Sequence, residues 1–250
     1  SKMFKSNYAI ILNISPDHLE RHGSINNYVK AKFKLIKNQN DKDFAFLNTR
    51  NKYLKKEIKK NKIFSKIVDE NFKKFNNLRK KINNPYFLTL GNQENLSFIF
   101  ALTLQLKLKI KKIVETINKF KGLEYRQEIV YRDDKVTVIN DSKATSFASS
   151  INILRSLKTV LWLVGGESKL GDKFTLKNSE CKNIKAYIIG KKKNFFIKQF
   201  RNKLSHYYSF NDLKSAVKHA LNDLSKNNLK KTILFSPSAA SFDNFKNFED

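Results

Sequence analysis

The sequence predicts an α/β protein built on a mainly parallel sheet, and three observations carry that expectation. Several strand candidates are continuous apolar runs, as in "TVLWLVGG" (159–166), "KAYIIG" (185–190) and "KTILFSP" (231–237); strands of this kind are covered on both faces, as parallel strands are. Amphipathic stretches of helical period separate them, which fits strand–helix–strand crossovers with helices on both faces of the sheet. Polar and small residues gather directly after four of the strands, where open α/β sheets bind their ligands.

Taken in order, "YAIILNI" (8–14) reads as an apolar strand, and residues 26–36 repeat Tyr28, Ala31, Phe33, Leu35 and Ile36 on a helical period with lysines between. "FAFLN" (44–48) is a second short strand, and the basic run after it reads as a peripheral helix with short strands. "NQENLSFIFALTLQL" (92–106) and "KKIVETINKF" (111–120) are two further helices. After Gly122 the rhythm restarts. Strands 127–132 and 136–140 flank Asp133-Asp134, a turn signal that makes a hairpin. A helix over 146–157, strands 159–166 and 185–190, helices over 193–204 and 211–225, and strand 231–237 complete the reading. Two domains are expected, 1–121 and 122–250.

A 250-residue chain with 40% hydrophobic and 12% aromatic residues can bury a core, which excludes a disordered chain. The net charge of +28 raises the possibility of a nucleic-acid-binding module. Its densest part, residues 50–81, holds thirteen Lys and Arg against three acidic residues, yet lysines recur along the whole chain. We read this as a compositional drift toward a solvated lysine surface, with no specific nucleic-acid partner expected. The single cysteine, Cys181, forms no internal disulfide, and no Cys and His spacing suits zinc. With no apolar run of spanning length and no signal peptide at the start, a cytoplasmic chain without membrane insertion is expected.

The polar clusters are "SPDHLERHG", "NDSKATS", "GGESKLGDKF" and "SPSAASFDNFKNFE". By themselves, His18 and Lys32 read as a surface histidine and a solvated lysine. The paired glycines of the third cluster let backbone approach a ligand closely, and Lys169 could meet a carboxylate or phosphate; from this segment alone a plain turn with an exposed lysine is the favoured reading. The small residues of the fourth could bring hydroxyls and N–H groups to an anion, or form a tight turn.

Taken together, "ILNISPDHLERHGSINNYVKAK", "KGLEYRQE", "VINDSKATS", "LVGGESKLGDKF" and "LFSPSAASFDNFKNFE" resemble the Mur ligase family, in the family's order. Within it they resemble the members that add D-glutamate to UDP-N-acetylmuramoyl-L-alanine. The resemblance covers most of the chain except residues 50–84. It implies the later half of a central ATPase domain followed by a Rossmann-like C-terminal domain. It also implies a monomer using ATP and Mg²⁺, which activates a substrate carboxylate as an acyl phosphate for attack by the D-glutamate amine. Such chemistry is mostly positioning and charge stabilisation.

The resemblance also assigns residues. His18 matches a magnesium ligand, and Lys32 matches a lysine carried as a carbamate, an anionic oxygen donor suited to a hard cation. Asn92 and Asn95 match an adenine-side pair, although Gly91 stands where a histidine is usual. Arg126 matches an arginine that reaches the ATP phosphates, with Tyr125 in place of a neighbouring histidine. Asp141 would accept from the ATP ribose hydroxyls, and Lys143 and Thr145 would face phosphate and the incoming amino acid, Ser146 replacing the usual asparagine. Lys169, Ser241, Phe242 and Phe248 would enclose D-glutamate. No GxxGK[ST] phosphate loop occurs in the sequence; the family places it, with the UDP-binding domain, earlier, so an internal fragment inactive alone is expected. A relative using another amino acid is the other enzymatic reading.

Overall fold

The computed structural model describes residues 4–16, 19–69, 75–225 and 229–240. The chain divides into two compact units, Ser1–Phe120 and Lys121–Asp250.

Among the described residues, the first unit holds a three-stranded parallel sheet in the order β1 (Tyr8–Ile11), β2 (Phe44–Leu47), β3 (Lys66–Asp69). Around it run α1 (Leu19–His22), α2 (Ile25–Lys37), α3 (Lys52–Lys60), α4 (Asn76–Arg79), α5 (Leu90–Gln105) and α6 (Ile110–Lys119). Successive strand residues point to opposite faces, so two cores form. Ala9, Ile11, Ala45 and Leu47 meet Val29, Phe33 and Ile36 of α2 and Leu54 of α3. On the other face Phe46 meets Leu96, Phe98 and Phe100 of α5 and Ile117 of α6. Helix α2 starts at Ser24, whose hydroxyl accepts from Asn27 N at 3.2 Å, a regular N-cap. The basic run is built around α3: Leu54 is buried, Tyr53 and Ile58 pack beside it, and Lys52, Lys55, Lys56, Lys59 and Lys60 stand exposed. Its lysines are the outer side of an amphipathic helix.

The second unit holds a six-stranded sheet. Its strands are β4 (Glu128–Arg132), β5 (Val136–Asn140), β6 (Val160–Gly165), β7 (Ile184–Ile189), β8 (His206–Ser209) and β9 (Lys231–Phe235). They lie in the order β4-β5-β9-β6-β7-β8, all neighbours parallel except the β4–β5 hairpin. Helices α7 (Phe147–Ser156) and α8 (Lys193–Phe200) cover one face and α9 (Leu213–Leu224) the other. The first face is an aromatic layer: Phe147, Trp162, Phe174, Phe196 and Phe200 are all buried, with ring centroids 5.1–6.4 Å apart. Such rings combine large burial with edge-to-face contacts.

The α/β expectation holds, with local differences. Strand 8–14 ends at Ile11, and helix 193–204 ends at Phe200. Strand β8 escapes sequence reasoning because it is four residues long at the sheet edge, where "HYYS" has no apolar run to read.

Candidate functional site

The site is built from the strand order of the second unit. Because β9 enters the sheet between β5 and β6, the carboxyl ends of these three strands lie side by side, and a ligand crevice forms at such an end. The loops leaving them are knitted together by backbone hydrogen bonds. Asp141 N donates to Phe235 O at 2.7 Å, and Ser238 N to Ala144 O at 2.8 Å. Gly165 N donates to Pro237 O at 3.0 Å, while Glu167 and Ala240 exchange two bonds of 2.7 and 3.0 Å. Residues 123–127, which lead into β4, join them: Lys143 N donates to Tyr125 O at 3.1 Å, and Gln127 N to Asp141 Oδ1 at 3.2 Å.

Helix α7 begins inside this cluster. Ser146 is its N-cap, accepting from Ser149 N at 3.4 Å, and Asp172 Oδ2 accepts from Phe147 N at 2.8 Å. A carboxylate there satisfies a free helix N–H and complements the helix dipole. The loop that carries Lys169 is thus anchored at Ala240 on one side and at the start of α7 on the other.

The paired glycines serve this packing. A Cβ on Gly165 (φ +148°) would lie 2.0 Å from Ile189 O, and one on Gly166 (φ +122°) 2.4 Å from Ala240 O. Backbone already fills the space that glycine opens on that side.

Asp141 dominates the electrostatics. It is 5% exposed, and burial pushes its carboxyl up to about 6, against the Ser236 hydroxyl, the Gln127 N–H and the Arg126 guanidinium, which favour the carboxylate. Arg126 and Lys143 are exposed, and Thr145 and Lys169 are half-buried. Two exposed cations beside a desolvated carboxyl make a surface suited to an anionic ligand that also offers hydroxyl donors.

Arg126, Asp141, Lys143, Thr145 and Lys169 are therefore brought together on hydrogen-bonded loops. Lys32, Asn92 and Asn95 belong to the first unit. Lys32 is exposed on α2, its ammonium 5.4 Å from the Tyr28 ring centroid. Asn92 is buried: its side-chain amide donates to Tyr86 O at 2.7 Å, and its N–H to the Thr89 hydroxyl at 3.4 Å, so it braces the start of α5. Asn95 is half-buried one turn on, next to Glu94. Burial pushes the Glu94 carboxyl upward, against Arg50 and an Asn13 hydrogen bond. His18, Ser241, Phe242 and Phe248 lie outside the described residues. Among the described residues no group of three His, Cys, Asp or Glu side chains is placed to hold a metal ion. Lys32 as an ammonium has no lone pair to offer one; only its carbamate would fit.

Sequence reasoning missed Ser150 and Asp172, and it read the Ser236 and Ser238 hydroxyls as groups for an anion or a tight turn without the buried partners they have. Asp172 had a readable signal, an acid shortly after a strand end. Ser150 had none, since a small hydroxyl on a helix looks alike whether buried or exposed.

Residues 1–109 match the Mur ligase middle domain. Along its whole length the chain is 32% identical to a UDP-N-acetylmuramoylalanine--D-glutamate ligase of Rickettsia bellii, and 33% identical to the protein of that name from Aquifex aeolicus. It spans 60% and 61% of those two proteins. The crystal structure of MurF ligase from Thermotoga maritima in complex with ADP aligns with 95% of this chain, over 60% of its own, at TM-score 0.67. At 13% identity that likeness is one of fold. Similarity along the whole chain, a matching middle domain and a shared fold agree: residues 1–109 are a Mur ligase middle domain, and the chain as a whole is similar to Mur ligases.

Proposed function

We propose that this chain is part of an ATP-dependent, amide-forming ligase that adds D-glutamate to UDP-N-acetylmuramoyl-L-alanine in cytoplasmic peptidoglycan synthesis. The observation that carries the reading is the meeting of Arg126, Asp141, Lys143, Thr145 and Lys169 at one sheet end. It stands in a chain about a third identical to ligases named for that reaction. On this reading residues 1–121 are the later part of the ATP-binding domain and residues 122–250 the amino-acid-binding domain. No helix among the described residues is long and apolar enough to cross a membrane.

The substrate carboxylate attacks the terminal phosphorus of ATP, and ADP leaves. The D-glutamate amine then attacks the acyl carbon, and phosphate leaves. Arg126 and Lys143 present cations to phosphoryl oxygens, where charge stabilisation counts most. Lys169 meets a carboxylate of D-glutamate, with Thr145, Ser241, Phe242 and Phe248 around the same donor. By resemblance, Asp141 is assigned to the ribose hydroxyls and, within the first unit, Asn92 and Asn95 to the adenine side. Magnesium, when bound, supplies positive charge to the phosphates, with His18 and carbamylated Lys32 as its ligands.

The test is phosphate release by the protein encoded in the reading frame that contains this chain, with each amino acid offered in turn. Release that requires D-glutamate supports the reading. Release that requires a different amino acid assigns the chain to another branch of the family, and none with any donor sinks the reading.

A further inference from the structure

The proposed chemistry leaves unused a row of buried hydroxyls beneath the site. Ser150, in the first turn of α7, has its Oγ 2.6 Å from Ser236 Oγ and 2.6 Å from Ser238 Oγ. Ser236 Oγ donates to Asp141 Oδ2 at 3.0 Å, and its carbonyl accepts from Trp162 Nε1 at 2.8 Å. Ser150, Ser236 and Ser238 are all fully buried. A hydroxyl has one proton to give and two lone pairs. With the carboxylate at one end taking the Ser236 proton, Ser150 donates to Ser236, and Ser238 donates to Ser150 at 2.6 Å in preference to the Ser236 carbonyl at 3.5 Å. The row is therefore directional, each bond polarising the next.

This row runs under loops whose backbones are held in unusual conformations. Ser238 (φ +58°), Tyr125 (φ +62°) and Gln127 (φ +52°) are non-glycine residues in the left-handed region, a state that persists when the surroundings over-determine it. Ser238 ends the hydroxyl row and also donates its N–H to Ala144 O. Gln127 donates its N–H to the carboxylate at the other end. Tyr125 accepts from Lys143 N.

We propose that Ser150 is a positioning residue whose hydroxyl, through Ser236 and Ser238, locks loops 123–127, 141–146 and 236–240 together, and so fixes where Arg126 and Lys143 present their cations. That these cations serve a ligase site rests on the reading above, whereas the locking of the loops does not.

Site-resolved amide hydrogen exchange on this chain tests the proposal. In Ser150→Ala, exchange at Gln127, Lys143 and Ser238 is expected to rise together by roughly tenfold, while amides of β7 keep their rates. A rise confined to α7, an equal rise in β7, or no rise would overturn it, since each is what mere helix packing or global loosening gives. Should Ser150→Ala not fold, Ser238→Ala removes the donor at the head of the row; the same three-loop pattern, smaller, is expected, and its absence is decisive. The readout needs no turnover, so the pattern can hold while the ligase reading fails, and the reverse.

Discussion

Among the described residues, two buried carboxylates lie in the second unit, and their surroundings differ. Asp223, on α9, is 2% exposed and accepts from the Tyr187 hydroxyl at 2.8 Å and from the Lys185 ammonium at 3.2 Å. Its backbone carbonyl accepts from Lys231 Nζ at 2.6 Å. Burial first, and the Asp223 carboxylate second, push the Tyr187 phenol upward, keeping it a hydrogen-bond donor. Asp141 is held instead by one hydroxyl and one backbone N–H, with Arg126 acting as a nearby charge. The first carboxylate holds an ammonium and a phenol on one oxygen, Oδ2, and fastens α9 to the sheet. The second costs the fold something to keep, as perturbed carboxyls at binding sites commonly do.

Breaking the Asp223 site has the largest expected effect on stability. Asp223→Ala removes the acceptor of a buried phenol and of a partly exposed ammonium, and is expected to cost on the order of 2–4 kcal/mol. Lys185 reaches solvent, so most of the loss comes from Tyr187. Thermal unfolding checks it; a loss below roughly 0.5 kcal/mol would remove the contrast.

Charge removal at the other site should leave folding alone. Lys143→Ala and Lys169→Ala are each expected to lower ligase turnover about a hundredfold or more, with unfolding midpoints shifted by no more than an ordinary surface change. Parallel activity and melting measurements separate the two effects.

The Asp141 carboxyl should appear in the pH dependence of stability. Asp141 titrates at about 6 when folded, against the ordinary 3.8. Between those values the unfolded chain has released its proton and the folded chain still holds it. Stability from this group is therefore complete below about pH 4 and falls by on the order of 3 kcal/mol as pH rises through about 6. Asp141→Asn should flatten that slope in urea titrations run from pH 4 to 7, and an unchanged slope would mean the carboxyl is not desolvated. The smallest effect is expected on α3, where Lys55→Gln and Lys59→Gln should stay within about 0.5 kcal/mol of the parent.

Much of the sheet could be read from sequence because strands such as β6 and β7 are buried on both faces and carry few polar residues. The helix start near Ser146 and the strand-end position of Asp141 were readable from the local pattern. What joins Asp141 to Ser236 could not be, since 95 positions separate them and only the insertion of β9 beside β5 brings them together. The "GG" pair shows a related limit: glycine signals a close approach, and nothing local says whether ligand or backbone approaches. A lysine such as Lys32 looks the same on any exposed helix, so its role came from resemblance alone.

The most direct measurement is phosphate release by the protein encoded in the reading frame containing this chain, given ATP, UDP-N-acetylmuramoyl-L-alanine and D-glutamate, with Lys143→Ala alongside. The account predicts release that depends on D-glutamate and collapses in the variant. Release that ignores the amino acid, or that survives the loss of Lys143, would contradict it.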